Sequence, residues 1–112
     1  MANSGPRLDR VFRALADPTR RAVLARLARG AAPVTELARP FAMALPSFVQ
    51  HLGVLEECGL VRSRKAGRVR TYQLAPRGLD AAEHWMTTQR ELWERRLDQL
   101  DAHLTTIKEQ TR

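Results

Sequence analysis

The chain has 112 residues, 44% of them hydrophobic, and carries 19 Lys+Arg against 12 Asp+Glu for a formal net charge of +7. That length suits one domain with one modest core; the charge favours an anionic partner, and the single cysteine, Cys58, excludes an internal disulfide framework. No apolar run approaches the roughly 18 residues of a membrane span, and the opening MANSGPRLDR lacks the apolar core of a secretory signal, so a cytoplasmic protein with no membrane partner is expected.

The charge is unevenly placed. Residues 1–78 hold 14 Lys+Arg and 5 Asp+Glu, a net +9, whereas residues 79–112 hold 5 and 7, a net −2. The anion-binding surface therefore belongs to the first two-thirds of the chain, and the last third needs another explanation.

Residues 1–6 are small and polar around Gly5-Pro6, and a disordered N-terminus is expected there. From Arg7, the positions Leu8, Val11, Phe12 and Leu15 recur at helical spacing. This first helix should stop near Ala16, because Asp17-Pro18 follows. Asp17 then caps a second helix with Pro18 at its first position and Arg20-Arg21 in its first turn. Val23, Leu24 and Leu27 form its buried stripe with Ala28 beside them, and Gly30 closes it. Ala31-Ala32-Pro33 reads as a loop. Thr35 is the expected N-cap of a short third helix, with Leu37, Ala38 and Phe41 inward and Pro40 ending or distorting it.

A fourth helix is predicted from Leu45 to about Cys58. Phe48, Leu52 and Leu55 share one face at steps of four and three, while Ser47, Gln50, His51 and Val54 share another. Gly59 ends it and Leu60-Val61 return to the core. Residues 61–66 and 69–74 then form a β-hairpin around Gly67, with Tyr72 and Leu74 able to pack inward. From about Leu79 to Gln110 there is neither Pro nor Gly, so one helix of about 48 Å is expected. Its stripe runs Met86, Trp93, Leu97, Leu100, Leu104, Ile107, with Trp85, Gln89 and Leu92 flanking the first half. After Trp93 the steps are four, three, four, three, a heptad-like seam.

Two constellations carry chemistry. The fourth helix has an apolar back to hold it and a polar front: Gln50 could bond adenine in a bidentate manner, and Ser47 and His51 could meet a base edge or a phosphate. An ordinary solvated amphipathic helix would show the same pattern. The hairpin breaks the tie, because Arg62, Arg64, Lys65, Arg68 and Arg70 fall within nine residues with no acid among them. Such cations repel one another and invite a polyanion, here double-stranded DNA. Arg20 and Arg21 could add backbone contacts, although at least one of them reads more readily as a simple surface charge. The fold class expected is mainly α with a small β-hairpin, a winged helix-turn-helix.

The last helix is too long for a domain of about 70 residues to cover. Burying its eight large apolar residues (two Trp, four Leu, Met86, Ile107) is worth a gross term above about 10 kcal/mol per protomer, comparable with the roughly 4–15 kcal/mol that association costs. With both protomers contributing, a homodimer is expected, and a twofold dimer would set two reading helices about one DNA turn apart on a palindromic site. The alternatives are a helix folded back on its own domain, or an interaction module that zips onto a different protein.

Metal, redox and enzymatic readings are weaker. Cys58 has no second thiol nearby in sequence, and His84 and His103 stand about 28 Å apart on one helix. An inter-chain site using Asp80 with His84, or Gln99 with His103, would require antiparallel pairing of two last helices. A small buried thiol is usually packing. No nucleophile triad, phosphate-cradling glycine loop or paired acid appears; Glu56 and Glu57 are adjacent and diverge. No cofactor, metal site or enzymatic activity is expected.

The runs LADPTRRAVLARLARG, VTELARPFAM, LPSFVQHLGVLEECGLVRSRKAGRVRTYQL and WERRLDQLDAHL resemble the ArsR family of winged-helix repressors over roughly residues 8–105. The resemblance implies a bacterial or archaeal dimer that binds operator DNA and blocks transcription, often of its own gene. Operator binding fits the DNA contacts read above from the helix front and the hairpin, Ser47, Gln50, His51, Arg64, Lys65, Arg68 and Arg70. The resemblance also implies a dimer interface of first and last helices, giving Leu8, Val11 and Phe12 a second role beside Trp85, Trp93, Leu97, Leu100 and Leu104.

Three departures matter. The family's metal-sensing Cys-x-Cys is absent from ELARPF, and Asp101-x-His103 has no second half before Arg112, which points to the metal-independent branch. Ala44 stands where related sequences often have a capping Ser. Val49-Gln50-His51 and Gly53 replace the common Ser-Lys-His and following Lys, which shifts attraction toward the wing. The residues name no effector.

Overall fold

The computed structural model describes residues 5–111, and the expected N-terminal disorder at residues 1–4 falls outside them. Gly5 and Pro6 are not disordered; they form the first turn of α1 (Gly5–Leu15). Proline is tolerated there because its missing N–H would have had no helical partner. Leu8, Val11 and Ala14 bury one face of α1. The helix stops at the Asp17-Pro18 step as expected.

Asp17 caps α2 (Pro18–Leu27) by accepting a hydrogen bond from the Arg20 backbone N–H at 3.0 Å. Val23 and Leu27 are buried, but Leu24 is only half-buried and Ala28 is exposed. The reason for Ala28 is positional, since it is the C-cap residue and lies past the last helical turn. The Arg20 N–H is the main cause holding the Asp17 carboxyl below its ordinary value of 3.8, with partial burial pulling the other way and the nearby His51 lowering it further. Because the folded value is the lower one, the cap's contribution is complete above the unfolded value and is lost as pH falls through the folded value. Asp17→Ala is therefore expected to cost about 1 kcal/mol at neutral pH. In chemical denaturation the gap from wild type should narrow once the pH drops below the ordinary aspartate range; a gap that is flat with pH would contradict the cap.

The expected loop at residues 31–33 contains a strand instead. β1 (Ala32–Pro33) pairs antiparallel with the second hairpin strand, Ala32 opposite Tyr72 and Pro33 opposite Thr71. Pro33 suits this edge position, where it has no N–H to leave unpaired. It also overrides the expected cap. Pro33, not Thr35, is the N-cap of α3 (Val34–Ala38), with extended backbone and no side-chain cap bond. Pro40 lies beyond this helix rather than inside it. Leu37 is buried, while Ala38 and Phe41 are half-buried.

α4 (Leu45–Glu57) starts at the Leu45-Pro46 step, with Ala44 in cap geometry but without a side-chain bond, and Cys58 as its C-cap. Phe48, Leu52 and Leu55 are each 0% exposed, and the Phe48 ring lies 5.2 Å from that of Phe41. Cys58 is buried and its thiol donates to the Leu55 carbonyl at 3.4 Å; burial pushes the thiol's pKa up, away from the reactive thiolate.

β2 (Val61–Ala66) and β3 (Val69–Leu74) pair in the expected register, Val61 opposite Leu74 through Ala66 opposite Val69, giving a three-stranded antiparallel sheet in the order β1-β3-β2. The small hairpin of the sequence reading is thus completed by β1. Gly67 has φ +63° at the first loop position, the requirement of a two-residue primed turn. Tyr72 is buried, but Leu74 is 40% exposed. It shares a face with Tyr72 yet stands at the open end of the sheet, beside Leu24, Leu60 and Leu79.

Gly78 follows in a tight turn, where an added Cβ would come within 2.7 Å of the Gly59 carbonyl and 3.0 Å of the Leu60 Cα. Any side chain there would push on backbone, so this glycine is required by space. Arg77, just before it, is in the left-handed region at φ +63°.

The chain divides into two compact units, one up to Ala81 and one from Ala82. The second consists of most of α5 (Asp80–Gln110), 31 residues or about 46 Å. Leu79 belongs to the preceding turn rather than to the helix. No helix among the described residues is long and apolar enough to cross a membrane.

Candidate nucleic-acid interface

The apolar back of α4 faces the core and its front faces outward. Ser47, Gln50 and Val54 are exposed, and Val49 joins them. The front is nearly uncharged, so α4 offers hydrogen-bonding groups rather than attraction. His51 differs from its neighbours. It is only 23% exposed at its side chain, and its Nδ1 lies 3.0 Å from Nη1 of Arg20 and 3.7 Å from the Asp17 carboxylate.

Arg20 is correspondingly not a spare surface cation. Its Nε donates to the Ala14 carbonyl at 3.0 Å and its Nη2 to the Arg13 carbonyl at 3.2 Å. Those carbonyls end α1, where a cation is favoured by the helix dipole. Arg21 makes a similar bond to the Leu15 carbonyl at 2.8 Å. The sequence signal for these clasps is faint: two arginines in a first turn do not say which will turn back.

The five hairpin cations Arg62, Arg64, Lys65, Arg68 and Arg70 are all exposed. Strand alternation divides them. Arg62 and Arg64 share one face with Thr71 and Gln73, around an open polar hollow. Lys65 and Arg70 lie directly opposite each other on the other face. Like charges so placed destabilise the bare hairpin, and an anion between them would offset the cost. Arg68 sits in the turn. Arg70 is also tied to the domain, because its Nη1 donates to the Ser63 hydroxyl at 2.8 Å and that hydroxyl donates to Glu56 Oε2 at 2.9 Å. The chain Arg70–Ser63–Glu56 links the hairpin to the C-terminal part of α4, so helix and wing are one positioned surface. Ser63 and Glu56 carried no signal in the sequence beyond being polar.

The residues expected at a pairing surface fall into two groups. Leu8 and Val11 are buried within the chain itself, and Phe12 is half-buried. Along α5 the seam is open: Trp93 is 68% exposed, Leu97 57%, Leu100 50% and Leu104 54%, with Trp85, Met86, Leu92 and Ile107 each above 40%. So large an exposed apolar stripe is more than a monomeric soluble chain ordinarily leaves open. Among the described residues no group of three or more His, Cys, Asp or Glu could hold a metal ion.

A family model described as a helix-turn-helix domain matches residues 15–64. The HTH-type transcriptional regulator Rv2034 of Mycobacterium tuberculosis is 52% identical over 73 residues, covering 65% of this chain and 68% of that protein. A crystal structure of an ArsR family transcriptional regulator, RHA00566, superposes with a TM-score of 0.79 at 54% identity over 84% of this chain and 97% of that one. A solution structure of the homodimeric winged helix-turn-helix DNA-binding domain of Mb0332 from Mycobacterium bovis gives 0.64 at 30% identity, covering 84% and 85%.

Proposed function

This chain belongs to the ArsR family of winged helix-turn-helix transcriptional regulators, and from that premise we propose that it is a homodimeric repressor of its own or neighbouring genes in the bacterial cytoplasm. In this reading residues 7–78 bind DNA and residues 79–110 pair two copies. The operator is palindromic, with half-sites about one helical turn apart. Family membership supports repression, and the named homodimer of the Mycobacterium bovis domain supports pairing.

The observation that carries the reading is the joining of two surfaces. The front of α4 supplies the exposed Ser47 and Gln50 and the partly buried His51 for base edges, and the wing supplies Arg64, Lys65, Arg68 and Arg70 for phosphates. The two are held together through Glu56, Ser63 and Arg70. The wing provides most of the attraction and α4 most of the preference.

Titration against the protein's own upstream DNA tests this. With about three cations per protomer on phosphates, the log–log salt slope of the dimer should be about −5. Arg64→Ala or Arg68→Ala should weaken binding to every duplex and make that slope shallower. Gln50→Ala should leave the slope and change base preference, at about 1–3 kcal/mol for the contacted pair. If footprinting finds no upstream site bound more tightly than random duplex, the proposal fails.

A further inference from the structure

We propose that Arg20 is a positioning residue for DNA reading: it holds His51 by Nδ1, fixes the ring as its Nε2–H tautomer, and leaves His51 able only to donate to an acceptor on the DNA. The inference rests on the proposed role of α4. It concerns which chemical partner that helix can address and what Arg20 does.

Arg20 makes three side-chain hydrogen bonds. Two of its bonds go to the last carbonyls of α1, Arg13 and Ala14, and the third goes to His51 Nδ1 at 3.0 Å. A guanidinium only donates, so Nδ1 must be the acceptor and carries no proton. In a neutral ring the proton then sits on Nε2. The Asp17 carboxylate is 3.7 Å from the same Nδ1, beyond hydrogen-bond distance. Its Oδ2 already accepts from the Arg20 backbone N–H at 3.0 Å. Asp17 therefore does not displace Arg20 from a neutral ring. Residues 13–14, 20 and 51 come from three helices, so the contact locks the corner of α1 and α2 to α4.

Two consequences follow for binding. A His51 restricted to Nε2–H can meet a phosphate oxygen, guanine O6 or N7, thymine O4 or adenine N7, and is repelled by the amino groups of cytosine and adenine. Arg20, in turn, spends its charge inside the protein and releases no counterions. Its position in the first turn of α2 would otherwise suggest a backbone contact, as in many helix-turn-helix proteins.

Long-range proton–nitrogen NMR of the free full-length protein at neutral pH should show His51 Nδ1 as a bare acceptor nitrogen and Nε2 as an N–H. In DNA titrations, Arg20→Lys should leave the log–log salt slope unchanged while reducing discrimination between the upstream site and random duplex by about tenfold. That loss should vanish in a His51→Ala background. His51→Gln, which keeps a donor near the Nε2 position, should retain more discrimination than His51→Ala. It keeps the test decisive should Arg20→Lys fail to fold.

A proton on Nδ1, a slope shallower by about one unit per phosphate lost, or an Arg20→Lys loss that persists without His51 each overturns the inference. If the wild type binds no site better than random duplex, the α4 reading and this inference fall together. A proton on Nδ1 in a protein that does bind its site overturns the inference alone.

Discussion

Leu97→Glu combined with Leu100→Glu is expected to yield a helical monomer whose affinity for its upstream site is at least about 100-fold weaker than that of the wild type. Both side chains are half or more exposed in the single chain and lie on the seam with Trp93 and Leu104. Replacing exposed leucines by a good helix former changes the protomer's own stability by only a few tenths of a kcal/mol. In a twofold dimer the same two changes place four carboxylates in one apolar seam. Like charges brought together there cost several kcal/mol, and the apolar burial of four leucine side chains, which favours association, is lost with them.

The loss of DNA affinity then follows without any change in the reading surface. Each protomer keeps α4 and its wing, but the second half-site is no longer bound intramolecularly. Light scattering measures the mass, far-ultraviolet circular dichroism the helix, and titration the affinity. A variant that remains dimeric at micromolar concentration would show that α5 is not the pairing element.

Why some features could be read from the residues and others not is clear from where their causes lie. The Asp17-Pro18 corner, the helix ending at Gly59 and the turn at Gly67 each depend on a residue and its immediate neighbours. Their boundaries match the structure within a residue or two. The buried set Phe48, Leu52 and Leu55 follows from helical periodicity alone, and so does the seam of α5. The features without a local signal depend on partners distant in sequence. Ala32 and Pro33 become a strand only because β3 arrives beside them, Tyr72 standing opposite Ala32 from 40 residues further along the chain. That pairing fixes Pro33 as extended and moves the start of α3 ahead of Thr35. Leu74 has the right parity to be buried but sits where the sheet runs out of cover. By periodicity His51 is one more residue of the polar face of α4. Its link to Arg20, 31 positions earlier, is a tertiary fact with no local signature.

Phe48→Ala should lower the unfolding free energy by about 3–5 kcal/mol, a large part of the roughly 5–15 kcal/mol available to a domain of this size. Phe48 has no exposed surface, and its ring packs against Phe41 from the turn after α3. It is the first buried residue of α4, at the end that has no side-chain cap. Nothing at Ala44 compensates if this anchor is lost, so the N-terminal half of the helix loosens first. That half carries Ser47 and Gln50, the groups assigned to base reading. A milder change separates the two effects. Phe48→Leu keeps an apolar anchor but leaves space around it, so a smaller stability loss than for Phe48→Ala is expected, with base preference falling before attraction does. In the proposed division of work attraction comes from the wing, whose cations lie outside α4. Urea denaturation gives the stability, and competition between the upstream site and random duplex gives the preference. Equal loss of affinity for both duplexes by Phe48→Leu would mean that α4 and the wing do not divide the work in this way.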